Sequence, residues 1–199
     1  MEKPLGRALG AVLLLVSTGV QADNGDWLLR FRVVDIETQS RSSPLSGVDV
    51  QDKVIPEVDI SYFLAKQWAL ELILTYPQKH DISLNGTNIG SVKHLPPTLS
   101  LQYHFLPDAR FRPYVGAGIN YTRFSDVNLA GGTLDIDRNS WGAALQAGAD
   151  IEIGKSVFLN LDVKKVYMET DVKSAATGAM VTNLKIDPWL IGAGFGWRF

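Results

Sequence analysis

The chain has 199 residues, 46% of them hydrophobic and 10% aromatic, with 19 basic and 21 acidic residues and no cysteine. Such a balance lacks the basic patch that a nucleic-acid partner requires, so no nucleic acid is expected. Disulfides and thiolate metal sites are excluded, and the length suits one domain.

Lys3 and Arg7 precede an apolar run over residues 8–16, and Val20-Gln21-Ala22 forms a small-x-small-like cleavage site. This is the layout of a secretory signal peptide over residues 1–22, removed on export. The run is too short for a transmembrane helix, which needs about 20 apolar residues. Cleavage takes away Glu2, Lys3 and Arg7, leaving 17 basic and 20 acidic residues over residues 23–199. No later segment approaches roughly 18 consecutive apolar residues, so this chain can cross a bilayer only as a closed β-barrel.

Side chains alternate across a strand, and eight later segments show that period. The first, residues 26–35, sets Trp27, Leu29, Phe31 and Val33 against Arg30 and Arg32. The second, residues 54–64, sets Val58, Ile60, Tyr62 and Leu64 against Glu57, Asp59 and Ser61. In the third, residues 67–76, the apolar face is Trp68, Leu70, Leu72, Leu74 and Tyr76, opposite Glu71 and Thr75. The fourth, residues 95–105, opposes Leu99, Leu101, Tyr103 and Phe105 to Ser100, Gln102 and His104.

The fifth, residues 111–122, opposes Val115, Ala117, Ile119 and Tyr121 to Arg112, Tyr114, Gly116 and Gly118. The sixth, residues 139–153, carries Trp141, Leu145, Ala149, Ile151 and Ile153 against Gln146, Asp150 and Glu152. The seventh, residues 156–168, carries Val157, Leu159, Leu161 and Val163 against Asn160, Asp162 and Lys164. The eighth begins near residue 185 and ends with Phe195, Trp197 and Phe199 on one face and Gly192, Gly194, Gly196 and Arg198 on the other. An aromatic row closing the chain suits a lipid-facing girdle and not a soluble edge.

The connections alternate in length. Residues 65–66, 106–110 and 154–155 are short turns, whereas residues 36–53, 77–94, 123–138 and 169–183 are long, polar loops. Short periplasmic turns and long extracellular loops are the outer-membrane pattern, so the expected fold is all-β, an eight-stranded antiparallel transmembrane β-barrel. A soluble lipocalin-type barrel is the structural rival, with Gly25-Asp26-Trp27 as a weak signal for it. It would hide its apolar face inside, whereas here the apolar face includes the aromatic ends of nearly every strand.

Three motifs carry a family resemblance: residues 94–99 (HLPPTL), residues 111–122 (FRPYVGAGINYT), and Ser140-Trp141-Gly142-Ala143-Ala144 with Asp187-Pro188-Trp189. With them, residues 23–199 resemble the OmpW family of small outer-membrane barrels. The resemblance implies an eight-stranded barrel that passes small hydrophobic molecules, including by lateral exit through its wall. Residues 160–171 look closer in spacing to the alkane-uptake members. Lys164 and Lys165 occupy the region where the founding type has a tryptophan, so a tryptophan gate is not carried over.

Parity also reads the bore. A charged floor is expected from Arg30, Asp59, Glu71, His104, Arg112, Asp150, Glu152 and Arg198. An apolar upper lumen is expected from Val34, Ile55, Ile73, Val166, Met168, Ile186 and Leu190, with Glu57 and Lys164 as exceptions to the split. A bore this narrow fits side chains or one small ligand, so opposite charges should pair and plug it. The lumen glycines Gly116, Gly118, Gly192, Gly194 and Gly196 are expected to make room for Tyr114, Arg112 and Arg198.

Proline cannot donate to a ladder, and Pro96, Pro97 and Pro188 lie deep enough in the pattern to suggest a lateral opening there. No catalytic, cofactor or metal site is expected. His80, His94 and His104 match no metal spacing, and Ser100 and His104 are about 13 Å apart along a strand. The expected function is a passive channel for small hydrophobic solutes with sideways exit into outer-membrane lipid. The alternative is a plugged structural barrel acting through its loops, by adhesion or as a receptor. Phe199 resembles the terminal aromatic read by the outer-membrane assembly machinery.

Overall fold

The computed structural model describes residues 25–199; the expected signal segment lies outside the described residues. In chain order the strands are β1 (Trp27–Glu37), β2 (Arg41–Ser43), β3 (Val48–Val50), β4 (Lys53–Ala65), β5 (Trp68–Leu74), β6 (Gln78–Leu84), β7 (Thr87–Leu95) and β8 (Thr98–His104). They continue as β9 (Phe111–Leu129), β10 (Leu134–Ile136), β11 (Asn139–Gly154), β12 (Val157–Val166), β13 (Glu169–Ser174), β14 (Met180–Lys185) and β15 (Trp189–Arg198). Eight of them close a ring in the order β1-β4-β5-β8-β9-β11-β12-β15, all antiparallel, with β15 returning to β1. The chain end finishes the closure: Trp27 N–H donates to the Phe199 carbonyl at 2.8 Å, and Phe199 N–H to the Trp27 carbonyl at 2.9 Å.

The alternation places the aliphatic positions outward. Val33, Leu72, Leu101, Val115, Ile119, Leu145, Leu161 and Ile191 form an exposed belt. Aromatic pairs rim it at both ends, with Trp27 on Tyr62 (4.8 Å between ring centres) and Trp68 on Tyr103 (4.9 Å) below, and Tyr121 on Trp141 (4.8 Å) above. Such a belt and its girdles match a bilayer, in which ring closure pairs the first strand with the last.

The four long connections are not the polar loops their composition suggests. They form seven further strand segments and continue the wall outward as a collar, in the order β3-β6-β7-β9-β10-β13-β14-β2. β9 runs through both parts, bending at a bulge where Asp126 takes φ 46°. One collar face is apolar and packed inward, with Val50, Ile82, Val92, Leu129, Ile136 and Leu184 buried together. The other face meets water, which is why the composition reads as loop.

The two ends of the collar sheet, β2 and β3, belong to one connection and are not paired with each other. Side chains bridge them instead. Thr38 Oγ1 donates to the Val50 carbonyl (2.5 Å), Val50 N–H to Ser40 Oγ (3.0 Å) and Thr38 N–H to Asp52 Oδ1 (2.7 Å).

Candidate functional site

Inside the membrane ring the inward positions of β1, β4, β5, β11 and β12 carry charge. Arg30 is fully buried and donates to both oxygens of Asp150 (3.1 and 2.9 Å), to Asp59 (2.9 Å) and to Glu71 (3.2 Å). Arg32 sits one inward position higher and pairs with Glu57 (2.9 Å), Asp59 (2.7 Å) and Glu71 (3.3 Å). Lys164 adds contacts to Glu57 at 3.5 Å and to Asp162 at 3.6 Å. Tyr114 donates to Asp162 (2.8 Å), Asn160 to Asp150 (2.8 Å) and Gln146 to Glu71 (2.7 Å).

Five carboxylates and three cations thus fill the bore in one hydrogen-bonded plug. In so narrow a barrel this leaves no aqueous channel at that level. The charged residues expected from sequence therefore fall into separate groups. Arg30, Asp59, Glu71 and Asp150 meet in the plug, which also takes in Glu57 and Lys164 and adds Arg32 and Asp162. Arg112 pairs with Glu152 (2.8 Å), and Arg198 with Asp26 (3.0 Å), each outside the plug's bonds but bordering, with Asp150, a small cavity beneath it. Among the described residues His104 joins no ion pair; it bonds Gln102 (3.2 Å) and lies against Phe63 and Tyr114. The glycine that makes room for Tyr114 is Gly148, where a Cβ would come within 2.4 Å of the phenol oxygen. Gly116 faces Gln146 instead, and Gly196 faces Arg30.

Above the plug are two cavities of about 30 and 50 Å³, one over the other. The lower is lined by Ile36, Ile55, Ile73, Val166, Met168, Ile186, Pro188 and Leu190, with Pro96 and Thr98 on the far wall and Glu57 and Lys164 at its base. The upper lies within the collar, among Val48, Ile82, Val92, Phe124, Ile136 and Leu184. Of the expected apolar lumen, Ile55, Ile73, Val166, Met168, Ile186 and Leu190 meet at the lower cavity. Val34 packs beside it on Ile36 and Ile55. At rest these spaces hold small groups only, since one water needs about 10–15 Å³.

His80 and His94 border both cavities and form the waist between them, stacked with ring centres 4.6 Å apart. Burial, with His80 and Lys53 alongside, pushes His94 down to about 3. Burial also lowers His80, against its Nδ1 bond to the Gln51 carbonyl at 2.8 Å. Parity reasoning passed these two histidines over because they lie in segments that read as loop. The signal available was the shared parity of Gln78, His80 and Ile82.

The lower cavity reaches the wall. The β4–β5 ladder ends at Val58 opposite Leu74, and pairing resumes only where Gln51 N–H donates to Asp81 at 3.2 Å. Between those points, among the described residues, residues 54–57 have no backbone partner in residues 75–78, and Pro56 and Pro77 lie on the two lips. Lys53 crosses the top of this slot, Nζ donating to the Lys79 carbonyl at 2.9 Å. On the other side of residues 75–77 the ladder is also interrupted, opposite Pro96 and Pro97. Pro188 is placed differently: Val166 N–H reaches its carbonyl (3.2 Å), and Ile186 takes bonds from Gln39 (3.0 Å) and gives one to Met168 (3.0 Å), so the wall there is bridged on both sides.

The OmpW family model matches residues 23–199. An outer-membrane protein of Sinorhizobium fredii described as uncharacterized is 42% identical over 190 residues, covering 91% of this chain and 83% of that one. Outer membrane protein W of Escherichia coli is 30% identical over the full length of both chains. Among solved structures, the outer membrane protein OprG of Pseudomonas aeruginosa superposes with a TM-score of 0.76 at 27% identity, covering 89% of this chain and 97% of that one.

Proposed function

The chain belongs to the OmpW family of outer-membrane barrels, and from that premise we propose that it takes up small hydrophobic molecules passively and releases them sideways into the bilayer. One observation carries this reading: two small apolar cavities lie above a closed charged plug, and the lower borders an unpaired slot in the wall. An apolar solute that has entered the collar cannot go down without breaking buried ion pairs, each of which costs several kcal/mol to open. Moving sideways exchanges one apolar surrounding for another and costs little. Because the resting cavities are small, passage needs the slot lips to part, which breaks no ladder bond at residues 54–57 and 75–78. The exit is assigned to the slot between Pro56 and Pro77, with the gap opposite Pro96 and Pro97 on the far side of residues 75–77 and Pro188 as part of the chamber lining. Phe199 supplies the terminal aromatic for the assembly machinery.

The test is uptake of a short alkane into lipid vesicles bearing the refolded barrel. Replacing Pro56 and Pro77 with threonine, or Pro96 and Pro97, restores donors where the wall is unpaired and should slow uptake several-fold. Pro188→Thr should change it less. Wild-type uptake in folded variants of both pairs would defeat the side exit and favour a plugged barrel acting through its collar.

A further inference from the structure

The lower cavity is apolar but not uniformly so. Three buried polar atoms on one lip of the slot have no partner among the described residues: Thr75 Oγ1, Gln78 Oε1 and His80 Nε2. All three side chains line the cavity, and Gln78 and His80 are 0% and 2% exposed. Buried polar groups are nearly always satisfied, so such a cluster calls for an occupant.

The chemistry of that occupant follows from which lone pairs are free. The Gln78 amide nitrogen already donates to the Tyr76 carbonyl at 2.9 Å, which leaves its oxygen as an acceptor. His80 donates from Nδ1 to the Gln51 carbonyl, so in the neutral ring Nε2 is an acceptor too. Burial lowers the ring's pKa, which favours that neutral form. Thr75 Oγ1 can give or take. Two acceptors and one hydroxyl want a donor. A carboxylate offers none, and a cation would add an unpaired charge to a chamber whose Glu57 is already held by Arg32 (2.9 Å) and Lys164 (3.5 Å). A hydroxyl fits: it donates to Gln78 or His80, and its own oxygen accepts from Thr75.

We propose that Thr75, Gln78 and His80 are a recognition site for the hydroxyl head of an otherwise apolar solute, an alcohol or a phenol. This rests on the uptake reading, which supplies the solute's route. His80 borders both cavities, so a head group descending through the waist meets His80 first and Gln78 next. Its tail then lies against Ile55 and Ile73, beside the slot whose lips part to release it.

The test compares 1-octanol with octyl methyl ether, which keeps the oxygen and loses the donor. Both are titrated into the full barrel in lipid nanodiscs while the His80 imidazole nitrogens are followed by NMR. The alcohol should shift Nε2 saturably and bind about threefold to tenfold tighter than the ether, as one hydrogen bond allows. Gln78→Leu and, separately, Thr75→Val should bring the two affinities within twofold. Equal affinities in the wild-type protein, or a preference untouched by both variants, would overturn the site. Selective binding without vesicle uptake of either compound would overturn the uptake reading and leave the site standing.

Discussion

Replacing Arg30 with methionine tests whether the plug is one electrostatic unit. Methionine fills much of the same volume, so the change isolates charge and hydrogen bonding. Arg32 stays and still reaches Asp59 at 2.7 Å and Glu71 at 3.3 Å, so those carboxylates keep a cation. Asp150 does not; among the described residues its remaining partner is the Asn160 amide at 2.8 Å. The loss is therefore one stranded, buried carboxylate, which costs about 3–5 kcal/mol. Adding Asp150→Asn removes the stranded charge, so the pair should show a coupling of about 2 kcal/mol. Equilibrium urea unfolding of the barrel in lipid vesicles, followed by tryptophan fluorescence, reads both quantities. A single-variant loss under about 1 kcal/mol, or strict additivity of the two changes, would refute the plug as described.

Further outcomes are expected. His94 is held neutral in the fold by burial, with its pKa near 3. The unfolded chain gains a proton there below about 6.5, so collar stability falls as pH drops, by about 2 kcal/mol at pH 5. Amide exchange in β6 and β7 should speed up accordingly, and exchange unchanged between pH 7 and 5 would contradict this. Gly194→Ala puts a Cβ 1.9 Å from the Phe31 carbonyl oxygen, a contact that only backbone movement relieves, so the folded fraction after refolding should drop sharply. Phe199→Ala keeps both backbone bonds to Trp27 and should leave stability in vesicles nearly unchanged while lowering the amount assembled in cells. Equal cellular yields would count against an assembly role for that side chain.

The membrane strands were legible because lipid outside and a filled bore inside impose strict alternation on every strand. Trp189, Ile191, Phe195 and Trp197 face out as parity predicts. The collar was not legible, since its outer face is wet and its segments are three to nine residues long. Bulges at Ile82/Ser83, Ser91/Lys93 and Val172/Lys173 then break the period before it can register. Arg32 and Asp162 show a different limit. Parity turned both inward, but a division of the bore by height could not reveal that Arg32 binds the same carboxylates as Arg30. The slot was half legible. Prolines signal a missing donor, but only the partner strand decides whether the ladder is interrupted, as at Pro77, or bridged, as at Pro188.

The seam between β2 and β3 gives the collar an unusual mechanics. A hoop of backbone ladders resists widening with every rung at once, as the membrane ring does. The collar is a split hoop, held at its cut by Thr38, Ser40 and Asp52. Each of those stitches is worth only about 0.5–1.5 kcal/mol, because water replaces it when it lets go. That seam stands above the β1–β4 pair, beside the slot in the wall below. Undoing those stitches breaks none of the backbone ladders of the barrel beneath.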